Sequence, residues 1–250
     1  MNEKINVLGV DIDNVTMDEA VKKAKTSIEE NKKLFIVTAN PELLLTCEKN
    51  NVICRTIANA DLIVADGVGV LIGSKLRGKN FKQRVAGIDL MENLLKYANE
   101  EGKSVYLLGS KDGIAKKAAE NILKKYHNLK IAGTHHGYYK GIHTGSKGNE
   151  EEMQVIKEIN EVRPDMLFVA FGGPKQEIFI DTYMKDIDAK IFVGVGGSFD
   201  VYSGLLKRAP IVYQKAGLEW LYRLIQEPKR IGRMSKLPKF IIKSAMYKKK

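Results

Sequence analysis

The chain has 250 residues, of which 44% are hydrophobic, 28% charged and 8% aromatic, a balance that excludes wholesale disorder and collagen-like repetition. Its two cysteines, Cys47 and Cys54, fit no CxxC metal or redox spacing, which excludes a disulfide scaffold and favours a reducing, cytoplasmic location. The net charge of +11 lies wholly at one end, because residues 207–250 hold 13 Lys and Arg against 2 Asp and Glu, whereas residues 1–206 hold 28 of each.

The start, MNEKINVLGVDID, reaches Asp11 and Asp13 after a short apolar run and lacks the long apolar region of a signal peptide, so no export is expected. Short apolar runs then alternate with helical patterns. Ile5 to Val10, Leu34 to Thr38, Leu62 to Ala65, Val105 to Leu108, Met166 to Phe171 and Ile191 to Val195 are mostly β-branched or aromatic and end in Gly, Asn or Asp, as buried strands do. Thr16 to Glu30 opens with a Thr-Met-Asp-Glu capping box, and Asn40 before Pro41 is an N-cap followed by Pro at N1. Helical spacing also covers Ile88 to Glu101, Ile114 to Tyr126, Glu150 to Val162 and Gln176 to Lys185. The alternation predicts an α/β fold, a Rossmann-like and mostly parallel sheet flanked by helices. No apolar stretch reaches the roughly 20 residues needed to span a bilayer.

In a parallel sheet, ligands bind at the carboxyl ends of the strands. Those ends carry Thr38, Ala39 and Asn40, then Asp66 and Gly67, Gly109 and Ser110, Gly172 to Gln176, and Gly196 to Asp200. Asp66 follows an apolar strand and precedes a Gly-rich helix start, so it reads equally as a partly desolvated general base or as a helix N-cap. Gly172-Gly173-Pro174-Lys175-Gln176-Glu177 suits an anionic phosphate at a helix N-terminus, or mere turn chemistry. Gly67, Gly69 and Gly73 have the wrong final spacing for a dinucleotide fingerprint, and there is no GxxxxGK[ST]. His127, His135, His136 and His143 read as loop histidines, not metal ligands. The Asp-Ile-Asp triplets at 11–13 and 186–188 read as solvated turns, so no metal site and no cofactor are expected. The Gly133 to Gly148 stretch is open between a lid and an insertion.

Residues 207–250 interleave cations with Trp220, Leu221, Leu224 and Ile225, then with Phe240, Ile241, Ile242, Met246 and Tyr247, broken at Pro228 and Pro238. Basic amphipathic helices of this kind lie in the interface of an anionic membrane. The alternative is a helix whose apolar face packs on the body. The neutral body argues against nucleic acid as a partner. The chain therefore divides into an α/β catalytic domain, residues 1–206, and a basic, membrane-associating helical appendage, residues 207–250.

The ordered blocks Thr38-Ala39-Asn40-Pro41-Glu42, Ala65-Asp66-Gly67, Arg84 to Leu90, Gly172 to Glu177, Gly194 to Asp200, Lys207-Arg208-Ala209-Pro210 and Gly217 to Leu224 with Glu227-Pro228 and Arg230 resemble the WecG/TagA/CpsF glycosyltransferases. The resemblance spans the chain from the first strand into the tail. It implies an inverting, metal-independent transferase that moves a sugar from a UDP-sugar donor to an undecaprenyl-diphosphate-linked sugar, working peripherally on the inner face of the cell membrane. In the TagA branch, N-acetylmannosamine is added to lipid-linked N-acetylglucosamine to form the wall teichoic acid linkage unit, and this is the favoured activity. The WecG branch uses the uronic acid. By the same resemblance Asp66 becomes the base, with Thr38 and Asn40 beside it. Arg84 and Gln176 are expected to bind sugar or diphosphate, and Asp89 to accept a sugar hydroxyl or to pair with Arg84. Arg223, Arg230 and Arg233, spaced by 7 and 3, would share one face if helical and complete a diphosphate site. A homo-oligomer is compatible with the sequence, which does not determine it.

Overall fold

The computed structural model describes residues 3–247, without the side chains of Arg230, Arg233 and Met234. Strands β1 (Lys4–Val7) and β2 (Val10–Asp13) precede helix α1 (Met17–Glu29), followed by β3 (Leu34–Ala39), α2 (Pro41–Lys49), α3 (Asn51–Ala58), β4 (Leu62–Ala65) and α4 (Val68–Lys75). Then come α5 (Gly87–Glu100), β5 (Ser104–Gly109), α6 (Ile114–Lys125), β6 (Lys130–His135), α7 (Glu150–Val162), β7 (Met166–Ala170), α8 (Lys175–Tyr183), β8 (Ile191–Gly194) and α9 (Ser198–Tyr202). The basic end forms α10 (Ile211–Lys215), α11 (Glu219–Gln226), α12 (Ile231–Met234) and α13 (Lys236–Met246).

Six strands form one parallel sheet in the order β4-β3-β8-β7-β5-β6. Alternation along each strand sends side chains to two separate cores, as a pleated strand requires. Phe35, Val37 and Ala39 of β3 meet Leu167 and Val169 of β7 on the face covered by α2, α3, α7 and α8. Leu34, Ile36, Met166 and Phe168 face α1, α5 and α6. The α/β class expected from the sequence is the fold observed.

Two local expectations are corrected, and two further elements carry no mark in the sequence. Ile5 to Val10 is not a strand of the main sheet. Leu8 and Gly9 adopt φ of 50° and 89°, which turns the run back on itself, so β1 and β2 pair antiparallel as a separate hairpin. Asp13, expected in a solvated turn, is buried, and its carboxylate accepts the Ile63 N–H at 2.9 Å, tying the hairpin to β4. The segment 130–135, which carries no strong apolar alternation, is the edge strand β6, and α3 was likewise unmarked in the sequence.

The Thr16 capping box and the Asn40 N-cap with Pro41 at N1 both form. The stretch after β6 is ordered. Glu152, fully buried on α7, accepts from the Ile142 and Gly148 N–H groups and from the Tyr183 hydroxyl, while His143 stacks on Phe171 with ring centroids 4.2 Å apart. His143, on a short turn within this connection, is thus a buried packing residue, and burial lowers its pKa.

The last helix docks on the body. Phe240 and Ser244 of α13 are buried against α4, where Gly73 permits the approach: a Cβ on Gly73 would lie 2.7 Å from Ser244 Cβ. At Gly69 the same atom would lie 2.5 Å from Leu237 Cδ1. Gly69 and Gly73, two of the three glycines that imitate a nucleotide fingerprint, therefore serve helix packing. Among the described residues, no helix is long and apolar enough to cross a membrane.

Candidate active site

A cavity of about 290 Å³ opens over the carboxyl ends of β4, β3, β8 and β7. Its rim is built from five helix starts: Asn40 and Pro41 at α2, Gly67 and Val68 at α4, Ala86 and Gly87 at α5, Gly173 before α8, and Gly197 and Ser198 at α9. Each start turns the positive end of its helix dipole toward the same space, which favours an anion there. α11 closes the remaining side with Glu219, Trp220 and Arg223, and α13 contributes Lys236 and Leu237.

Asp66 stands at the end of β4, where its backbone N–H donates to the Ala39 carbonyl at 2.8 Å. Gly67 follows at φ 89°, a left-handed conformation that glycine adopts without penalty, and α4 begins with no side-chain cap. Asp66 is therefore not the N-cap of α4; its carboxyl faces the cavity. Burial raises its pKa, opposed by Arg84, by the Gly87 N–H and by Arg223, and assisted by Glu219. A carboxyl held in this way accepts a proton at a higher pH than an ordinary aspartate.

Arg84 Nη2 lies 3.8 Å from Asp66 Oδ1 and makes a second ion pair with Glu219 of α11. Its Nε is buried without a hydrogen-bond partner. Asp89 does not pair with Arg84, the alternative allowed by the sequence. It pairs with Arg208 instead, because α5 turns Asp89 toward the segment that leads into the tail.

Thr38 is buried under the cavity, its hydroxyl donating to the Gly194 carbonyl at 3.2 Å and its side chain beneath Gly87, where a Cβ would come within 3.3 Å. Asn40 caps α2 by accepting the Leu43 N–H at 3.0 Å and lines the cavity. Gln176 also lines it, yet its amide is committed within the protein. Oε1 accepts from the N–H groups of Gly172 at 3.2 Å and Gly196 at 3.1 Å, and Nε2 donates to Glu177 Oε1 at 2.9 Å. Gln176 staples the two glycine loops together. Those two N–H groups are correspondingly occupied, which alters the simple picture of a phosphate cradle at Gly172.

Of the three arginines expected on one helical face, Arg223 lines the cavity. The common face does not exist, since α11 ends at Gln226 and Pro228 opens a short 3-10 turn before α12. The side chains of Arg230 and Arg233 lie outside the described residues. Nothing in the sequence marks Glu219, Lys236 or the buried Glu177 for the site, although Glu219 and Glu177 sit inside blocks that carry the family resemblance, and Trp220, expected only at a membrane interface, also lines the cavity. Burial pushes the Glu177 carboxyl up to about 7, against the donation from Gln176.

A carboxylate of raised basicity, two guanidinium groups and five converging helix ends suit proton removal from one substrate beside a departing anion on another. Two relatives from Staphylococcus aureus match nearly the whole chain. The protein of strain MRSA252 is 38% identical over 249 residues, covering 99% of this chain and 94% of its own, and that of strain MW2 is 37% identical over the same span. Both carry the name N-acetylglucosaminyldiphosphoundecaprenol N-acetyl-beta-D-mannosaminyltransferase. The model of the glycosyl transferase WecG/TagA/CpsF family matches residues 5–250, and with it the chain is a member of that glycosyltransferase family.

Proposed function

We propose that the protein transfers N-acetylmannosamine from UDP-N-acetylmannosamine to N-acetylglucosaminyl-diphospho-undecaprenol in one inverting displacement. The observation that carries this reading is Asp66, desolvated at the cavity floor with Arg84 beside it and Arg223 across from it. The acceptor hydroxyl gives its proton to the Asp66 carboxylate as its oxygen bonds to the anomeric carbon of the donor. The bond from that carbon to the β-phosphate oxygen breaks with its electron pair, and UDP leaves as an anion that needs no proton. Arg84, Arg223 and the helix N-termini are placed to stabilise the negative charge that develops on the diphosphate. Thr38 and Asn40 shape the floor, and Gln176 acts by holding the two glycine loops in place rather than by donating to substrate. Asp89 acts through Arg208, fixing the start of the tail.

Residues 207–250 enter this reading as the membrane-facing part of the protein. Ile225 and Met246 are 63% and 76% exposed, among the lysines of α13 and its approach, which is the composition of an interfacial surface. The same segment supplies Glu219 and Arg223 to the cavity, so docking at the inner membrane face and completion of the site belong to one structural unit. UDP release from UDP-N-acetylmannosamine with a short-chain lipid-diphosphate N-acetylglucosamine, in EDTA, tests the activity. Acceptor-dependent turnover that disappears in Asp66→Ala supports it; turnover unchanged by that substitution removes Asp66 from the mechanism. Deleting residues 207–250 is expected to abolish both vesicle binding and turnover of a soluble acceptor.

A further inference from the structure

Beside the polar cavity lies a second space, a groove of about 530 Å³, whose wall is made by helical spacing alone. On α11, Glu219 and Arg223 are four residues apart and face the polar cavity, while Trp220 and Leu224, also four apart, face the groove. On α13, Leu237 and Ile241 form one apolar pair and Pro238 and Ile242 the next, with Ile231 closing the end. Among the described residues that line this groove, Ser235 alone has a polar side chain. Trp220 and Leu237 line both spaces, so the groove adjoins the charged cavity across these two side chains. Lys236, next to Leu237, stands at the junction, where its ammonium meets Glu42 at 3.1 Å.

We propose that this groove binds the first isoprene units of the acceptor, next to its diphosphate, and so reads the lipid chain as part of the substrate. The inference rests on the acceptor class of the proposed function. A ligand that occupies both spaces must be strongly anionic at one end and branched-apolar at the other, with the change of character at Trp220 and Lys236. A prenyl diphosphate has this form. Burying the proximal chain between α11 and α13 fixes the direction in which the acceptor sugar enters, and it holds Arg223 over the cavity because Arg223 and Leu224 are adjacent on the same helix.

Trp220 is the single tryptophan of the chain, so its fluorescence reports on this junction alone. Farnesyl diphosphate, added to the full-length protein below its own aggregation concentration and without membrane, is expected to give a saturable change in Trp220 emission. Its affinity should exceed that of inorganic diphosphate and of the five-carbon isopentenyl diphosphate by at least about tenfold, as the transfer of several buried CH₂-sized groups from water implies. Leu224→Asp and the uncharged, groove-filling Ile241→Phe should each weaken farnesyl diphosphate about tenfold or more, while UDP binding and the thermal midpoint of the Phe variant stay unchanged. Equal affinity for the three diphosphates overturns the proposal, as does wild-type binding in both variants. So does an emission change with neutral phosphatidylcholine vesicles that farnesyl diphosphate fails to compete away, since the groove face would then be a bilayer contact. Chain-dependent binding without any sugar transfer would uphold the groove and sink the proposed activity; transfer without chain-dependent binding would do the reverse.

Discussion

Arg84 is shared between Asp66 of the sheet edge and Glu219 of α11, so the basic end of the chain holds the electrostatic setting of the carboxyl proposed as the base. Glu219 raises the Asp66 pKa and Arg84 lowers it. Glu219→Gln removes the negative charge and frees Arg84 for Asp66, and both effects lower that pKa. The acid limb of the kcat/KM profile is expected to move to lower pH in this variant. A limb that stays in place would show that Glu219 does not act on Asp66.

Asp66→Asn keeps the shape of the site and removes the proton acceptor. A general base contributes about 10²- to 10⁴-fold, so kcat is expected to fall by that factor while UDP-sugar affinity, measured by calorimetry, changes little. In the wild type, activity should be lost as pH falls through a value above the ordinary aspartate range, because burial raises this carboxyl.

Gln176→Leu keeps the volume and leaves the N–H groups of Gly172 and Gly196 and one oxygen of Glu177 without their partner. The two glycine N–H groups are only part-buried and can turn to water, whereas the Glu177 oxygen is buried, so a loss of about 1–3 kcal/mol is expected in urea unfolding. A variant as stable as the wild type would mean that the glycine loops are held by other contacts.

Glu177 gives stability a distinct pH dependence. Its folded pKa, about 7, exceeds the ordinary glutamate value of 4.5, so the native state binds more protons than the unfolded chain between those limits. Stability attributable to this group is therefore present at low pH and lost as pH rises from about 4.5 to 7, by up to roughly 3 kcal/mol. Thermal midpoints across that window should flatten in Glu177→Gln relative to wild type.

Gly73→Ala places a Cβ 2.7 Å from Ser244 Cβ and forces α13 away from α4. Overpacking of this kind costs about 1–3 kcal/mol. Limited proteolysis is expected to cut the variant within residues 235–250 sooner than the wild type. Phe240→Ala, which empties a fully buried site, should cost about 3–5 kcal/mol and loosen the same helix.

Local physics carried the sequence a long way. The capping box at Thr16, the Asn40-Pro41 start and the apolar runs of β3, β4, β5, β7 and β8 are interactions between near neighbours, and each forms where the residues predict it. The position of Asp66 after a buried strand is also legible, because every parallel strand delivers its carboxyl end to the same edge. The edge strand β6 was hidden because its residues are only partly buried and lack a strong alternation. Leu8 and Gly9 were hidden because a left-handed leucine is not written in composition.

Partner choice was decided by tertiary structure. The sequence offers Arg84 the nearby Asp89, yet Arg84 pairs with Asp66 and with Glu219 from 135 positions away, and Asp89 takes Arg208. Gln176 offers an amide to any ligand, yet the folded glycine loops claim it. Gly69 and Gly73 look like a nucleotide motif until α13 arrives against them. Periodicity and caps act over a few residues and are fixed by the chain itself, whereas ion pairs and close helix contacts depend on which surfaces the fold brings together.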